Sequence, residues 1–252
     1  MSSNECARFE AVNGVTAESP TLIEGLPGHG LVAAIAVDQI TEQLGLNHYG
    51  NIAADEFPPV VTFEDGLVQD LVRVYAGESP AVMTLESDLA LPQSAYEPLS
   101  QCVLQELADD FERAIFLAGA PADSEDEIGK VSGVATTEPI RRELVDAGIE
   151  VPEELGLVGG ITGALVRECY HADVPAGLLI VRSHPFLPDP KAAKAVIETA
   201  LEPLVDFDID TTRLDEQAED IQERMQQVAA QYQQMAEEQD GEQAQPTRGM
   251  FQ

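Results

Sequence analysis

The amino-acid sequence predicts an α/β protein, a three-layer sandwich with helices on both faces of a mostly parallel sheet. Three observations carry this. Strand-type and helix-type segments alternate over roughly the first 200 residues, most strand runs are unbroken apolar stretches as expected when both faces are covered, and glycines sit where strands pass into helices. No internal repeat is visible.

The first unit is strand, turn, helix. "TLIEGL" (21–26) is a short apolar run ending near glycine, and "GLVAAIAVDQITEQLG" (30–45) has helical spacing and stops at Gly45. In "FPPVVTFEDGLVQDLVRVYAG" (57–77), Asp65 and Gly66 stand between two β-rich runs, which predicts a β-hairpin insertion after the first unit. Further strands are expected at 80–86, 113–119, 131–137 and 176–182. Helices are expected at 92–110, 138–148, 160–172 and 189–204, two of them opened by proline near the first turn.

From Asp210 the character changes. Leu214, Ala218, Ile221, Met225, Val228, Tyr232 and Met235 are spaced alternately by four and three, a heptad helix over about 210–239. The stripe fits either a coiled-coil seam between copies or a helix laid along its own domain. The last residues, 240–252, have too few apolar side chains to order themselves and form a tether, about 20 Å in reach for some 15 flexible residues. The organisation is thus a domain at 1–209, a helix at 210–239 and a tail at 240–252. That tail ends in Met250, Phe251 and Gln252, two bulky apolar side chains with nothing of their own to bury them.

Charge bounds the partners. With 46 Asp and Glu against 13 Lys and Arg, the formal net charge of −33 repels nucleic acid and anionic lipid. Arg outnumbers Lys ten to three, and acidic excess with scarce Lys is the habit of a protein working in molar salt. There the screening length is about 3 Å, so self-repulsion is damped and partners are held mainly by apolar contact. No apolar run reaches membrane-spanning length and the N-terminus lacks a signal-peptide pattern, so a cytoplasmic protein without a membrane partner is expected. Cys6, Cys102 and Cys169 have no metal-type spacing and read as small buried hydrophobes.

Chemistry-bearing motifs are sparse. In "EGLPGHG" (24–30), Gly28, His29 and Gly30 separate a strand from a helix, where free backbone N–H groups can hold an anion. No Lys-Ser/Thr follows and no G-x-G-x-x-G is present, so a tight packing turn is preferred over a nucleotide site, and no cofactor is expected. "VGGITG" (158–163), with Gly160, is read the same way. His184 follows the last strand. A Ser/His/Asp arrangement with Ser87 and Asp88 is geometrically open, and a hydrolase- or nucleoside-phosphorylase-like enzyme using these strand-end loops is the alternative reading. The four histidines have no metal-ligand spacing.

Several blocks together, "LIEGLPGHGLVAAIAVDQI", "EFPPVVTFEDG", "IFLAGAPA", "GVATT", "GLVGGITGALVRE" and "SHPFLPDPKAA", resemble archaeal homologues of the second eukaryotic proteasome assembly chaperone, over about Leu22 to Pro203. The resemblance implies a sheet like that of purine nucleoside phosphorylases without a retained catalytic set. It also implies a homo-oligomer of about three to five copies, a tetramer favoured, that engages proteasome core-particle α-subunits without ATP. In that family a C-terminal hydrophobic, tyrosine, any-residue tripeptide enters pockets between α-subunits, and its carboxylate pairs with a pocket lysine. Met250, Phe251 and Gln252 match it at the hydrophobic position and carry Phe in place of Tyr, which removes the phenol hydrogen bond.

Overall fold

A computed structural model describes residues 7–14 and 17–221. Its main sheet has eight strands. These are β1 (Arg8–Ala11), β2 (Thr21–Gly25), β3 (Asn47–Ala53), β6 (Val72–Glu78), β7 (Ala81–Ser87), β8 (Arg113–Pro121), β9 (Val131–Ala135) and β10 (Ala176–Ser183), in the order β1-β3-β6-β7-β2-β8-β10-β9. The remaining two, β4 (Thr62–Glu64) and β5 (Leu67–Gln69), form a separate hairpin. The sheet's centre, β7-β2-β8-β10, is parallel, whereas the β1, β3, β6 and β9 pairings are antiparallel. The parallel character expected from the sequence therefore belongs to the centre of a mixed sheet.

Layering follows from alternation along the strands. In β2 every residue is buried. Leu22 points into a core built with α2 (Tyr96–Cys102) and α4 (Gly160–His171), and Ile23 into a second core. That second core is built with α1 (Val32–Leu44), α3 (Glu138–Asp146) and α5 (Pro190–Val196). Helices thus cover both faces, as predicted. Cys102 and Cys169 are buried in the first core, and burial pushes the Cys169 thiol up to about 12.

Two predicted helices are continued by wide turns. α2 runs into a π-helical stretch, Val103–Leu107, and α5 into another, Ile197–Leu201, followed by α6 (Glu202–Val205). Pro203 has no N–H to give the Thr199 carbonyl, so the regular ladder cannot continue there and the turn widens. The expected hairpin turn is present: Asp65 and Gly66 both have positive φ, 49° and 80°, as a two-residue turn matching strand twist requires. The second β-rich run continues past this hairpin as β6, which joins the main sheet between β3 and β7.

The helix that begins at 212 starts on its own domain. Leu214, expected on an oligomer seam, is 1% exposed and packs into the second core. Gln43 and the Asp210 backbone exchange two hydrogen bonds (2.6 and 2.9 Å), Lys194 reaches Asp215 at 2.6 Å, and Arg213 pairs with Glu42. Ala218 and Ile221 are half-buried. Core side chains thus continue past the expected boundary at 209/210. Met225, Val228, Tyr232, Met235 and the terminal Met250, Phe251 and Gln252 lie outside the described residues.

Candidate functional site

A parallel sheet leaves its strand ends open where chains turn into helices, and ligands collect at the carboxyl ends. Here that end holds a cavity of about 550 Å³ bounded by the turn after β2, the ends of β8 and β10, and the loop entering α4. The structure brings Gly28, His29 and Gly160 together on its wall, although they stand some 130 residues apart in sequence. Gly30 lies behind the wall at φ 64°, with the Ser183 side chain against the space a Cβ would need, so this position demands glycine. Leu31 follows at φ 50°, an uncommon backbone conformation for a γ-branched residue.

β8 comes unusually close to this turn. A Cβ at Gly119 would fall on the His29 carbonyl oxygen. The loop after β10 ties to it as well, because the Asp189 N–H donates to the Gly30 carbonyl at 2.8 Å. Asp189 in turn accepts from the His184 N–H (2.7 Å) and the Ala192 N–H (2.9 Å), capping α5. His184 is therefore held beside the cavity and does not line it; its Nδ1 accepts from the Phe186 N–H. The Nε2 of His29 is buried without a hydrogen-bond partner.

Beneath the cavity sits Glu24, next to the carboxyl end of β2 and wholly buried. One carboxyl oxygen accepts from the Leu26 N–H (3.1 Å) and the other from the Leu117 N–H (3.3 Å), while the Thr162 hydroxyl lies 3.4 Å from both. Burial disfavours the charged form more than these three hydrogen bonds favour it, and the pKa is raised to about 8. At neutral pH the carboxyl is mostly protonated, and the Thr162 hydroxyl donates to it. Thr162 itself lines that cavity.

Electrostatically this is an exception on an acidic molecule. No acidic side chain is among the described residues that line it, and Arg182 is, its Nη1 bonded to the Pro121 carbonyl at 3.0 Å. A second cavity of about 560 Å³, by contrast, gathers Asp38, Glu42, Glu64, Glu86 and Asp88 around Arg73 and Arg213. In that second site Arg73 forks onto both Asp88 oxygens, at 2.5 and 2.9 Å.

The Ser/His/Asp alternative is not assembled. Ser87 ends β7 and His184 follows β10, with β2 and β8 between them, about 14 Å of sheet at the usual strand spacing. Ser87 Oγ donates to the Leu89 carbonyl, and Asp88 is engaged by Arg73. Among the described residues no group of three or more His, Cys, Asp or Glu is disposed to hold a metal, and no helix is long and apolar enough to cross a membrane.

Sequence reasoning missed Glu24, Tyr96, Thr162 and Arg182. Glu24 did carry a signal, as the one charged residue inside the run 21–26. Thr162 and Arg182 became visible only when the fold placed them.

A protein of Methanocaldococcus jannaschii, itself uncharacterised, is 27% identical over 215 residues, 85% of this chain and 87% of that one. Among solved structures, Pyrococcus furiosus PbaA, described as an archaeal homolog of proteasome-assembly chaperone, matches with a TM-score of 0.79 at 22% identity, covering 93% of this chain and 97% of its own. Pyrococcus furiosus PbaB, described as an archaeal proteasome activator, gives 0.80 at 21%, covering 89% and 99%. At such identity these likenesses establish the fold. The PAC2 family model matches residues 22–229, and the chain belongs to the PAC2 family.

Proposed function

We propose that this protein is a proteasome-interacting assembly chaperone or activator that works without ATP, as a homo-oligomer, by docking C-terminal tails on the α-ring of the core particle. The observation that carries the reading is family membership over 22–229, alongside a fold shared with proteins named for proteasome assembly and activation. The docking residues are Met250, Phe251 and Gln252, borne on a tether. Burying the Met and Phe side chains contributes about 3 to 6 kcal/mol before ordering costs, so one tail binds weakly. Several tails on one body facing repeated pockets gain about 10² to 10⁴ in avidity.

Exposed apolar surface supports a binding protein as well. Val60, Val61, Phe63, Leu67 and Val68 stand out on and beside the β4–β5 hairpin, with Phe63 77% and Val68 70% exposed. A patch of this kind marks a contact surface. It offers the apolar grip between copies that a highly charged chain needs when salt screens its ion pairs.

The test is capture of proteasome α-subunits in molar salt by the intact chain and by a chain lacking Met250 to Gln252. Capture is expected to fail in the truncated chain while its melting temperature stays that of the intact one. Undiminished capture by the truncated chain would refute tail docking.

A further inference from the structure

The strand-end cavity contains bare backbone that the chain's own packing does not explain. Glycine is required where φ is positive, as at Gly30 and Gly160, or where a neighbour leaves no room for a Cβ, as at Gly119. Gly28, Gly156 and Gly159 meet neither condition. Their φ values are not positive, and a Cβ built on any of them touches no atom of the described residues within 4 Å. All three line the cavity. What remains as a use for a missing side chain is the close approach of another molecule to the main chain.

The groups around that bare backbone are donors. α4 is twelve residues long and no side chain caps its start, so the N–H groups of Gly160, Ile161 and Thr162 have no acceptor within their own helix. They carry the positive end of the helix dipole. Arg182 adds a cation beside them. Tyr96 adds an aromatic ring and a phenol. Leu117, Ile180 and Leu157 are apolar walls, and Leu157 is 94% exposed, with nothing among the described residues to cover it.

We propose that this cavity binds a small organic anion, its oxyanion head on the N–H groups of the α4 N-terminus and on Arg182, and its apolar body against Tyr96, Ile180 and Leu157. The α4 N-terminus and Arg182 border the cavity with no acidic side chain among its described lining residues, on a molecule where carboxylates otherwise crowd the surface; that contrast selects a negative head group. The volume, about 550 Å³, suits a ligand of drug-like size or smaller. The proposal uses none of the terminal tripeptide's residues and stands or falls independently of the proteasome reading.

The probe is phenyl phosphate, compared with phenol, titrated against the full chain at fixed salt and followed by calorimetry or ligand-detected NMR. Phenyl phosphate is expected to bind one per chain, and phenol at least about tenfold more weakly, since the head group supplies the charge-assisted hydrogen bonds. Arg182→Gln is expected to weaken phenyl phosphate about tenfold. The double variant Gly28→Ala/Gly159→Ala, whose added methyl groups enter open space, is expected to melt like the parent yet bind at least about fivefold more weakly, because the methyls occupy the ligand's approach. Absence of phenyl phosphate binding at millimolar concentration, equal binding of phenol, or parental affinity in either variant would overturn the proposal.

Discussion

Glu24 allows the sharpest test of the structure, because its pKa makes stability depend on pH with a fixed sign. In the unfolded chain the carboxyl titrates near 4.5, and in the fold near 8. Between those values the folded protein holds a proton that unfolding releases, so the unfolded state binds fewer protons and stability falls as pH rises. The contribution is fully present below pH 4.5. It declines by about 1.4 kcal/mol per pH unit and is lost above pH 8, about 5 kcal/mol in all and about 3 kcal/mol by neutrality.

The perturbation is Glu24→Gln, which keeps shape and neutrality and cannot ionise. One amide oxygen replaces two carboxyl oxygens, so either the Leu26 or the Leu117 N–H faces an NH₂ group, a cost of about 1 to 3 kcal/mol that does not vary with pH. Urea unfolding of both proteins at constant salt, from pH 4.5 to 8, subtracts the titration of the other carboxylates, which is common to the two. The parent is expected to start more stable than the Glu24→Gln variant at pH 4.5 and to lose its lead, crossing below the variant before pH 8. A difference that stays flat, or that rises with pH, would mean that Glu24 is ionised in the fold and that its burial has been misread.

Two further predictions follow from hydrogen bonds and exposure. Asp189→Ala removes the acceptor of the part-buried His184 N–H and the buried Ala192 N–H, and is expected to cost about 2 to 4 kcal/mol in chemical denaturation; a loss under about 0.5 kcal/mol would show that water replaces it freely. Phe63→Ser with Val68→Ser on the exposed hairpin is expected to leave stability within about 0.5 kcal/mol while lowering the subunit number seen by light scattering. An unchanged subunit number would remove the hairpin from the oligomer contact.

The parts of the fold that could be read from sequence were those set by local patterns. β2, β7, β8 and β10 are apolar runs because both their faces are covered, and the Asp65-Gly66 turn is recognisable because few residues accept its backbone angles. β1 and β3 escaped notice for the opposite reason. They lie at a half-exposed flank; β3 carries Asn, Gly and His in "NHYGNIA" and has a register break between His48 and Gly50, so main-chain pairing of β3 with β6, and of β1 with β3, holds them without a side-chain alternation. The start of the C-terminal helix illustrates a different limit. A stripe at heptad spacing is the same whether it faces a second copy or its own domain, and only placement shows that Leu214 belongs to the latter.

The glycine-rich turn "LPGHG" invites two readings, a packing device or a ligand cradle, and the structure divides them within three residues. Gly30 is bound by conformation and by Ser183, so its identity says nothing about a ligand. Gly28, two positions earlier, is bound by neither and faces the cavity, as does Gly159 across from it. Sequence alone cannot separate these cases, because the crowding that requires Gly30 comes from a residue 153 positions away, and the openness at Gly28 is set by where α4 begins. The buried carboxyl of Glu24 obeys the same logic. Its partners Leu117 and Thr162 lie 93 and 138 residues along the chain, so its neutral state is a property of the assembled sheet end and of no single motif.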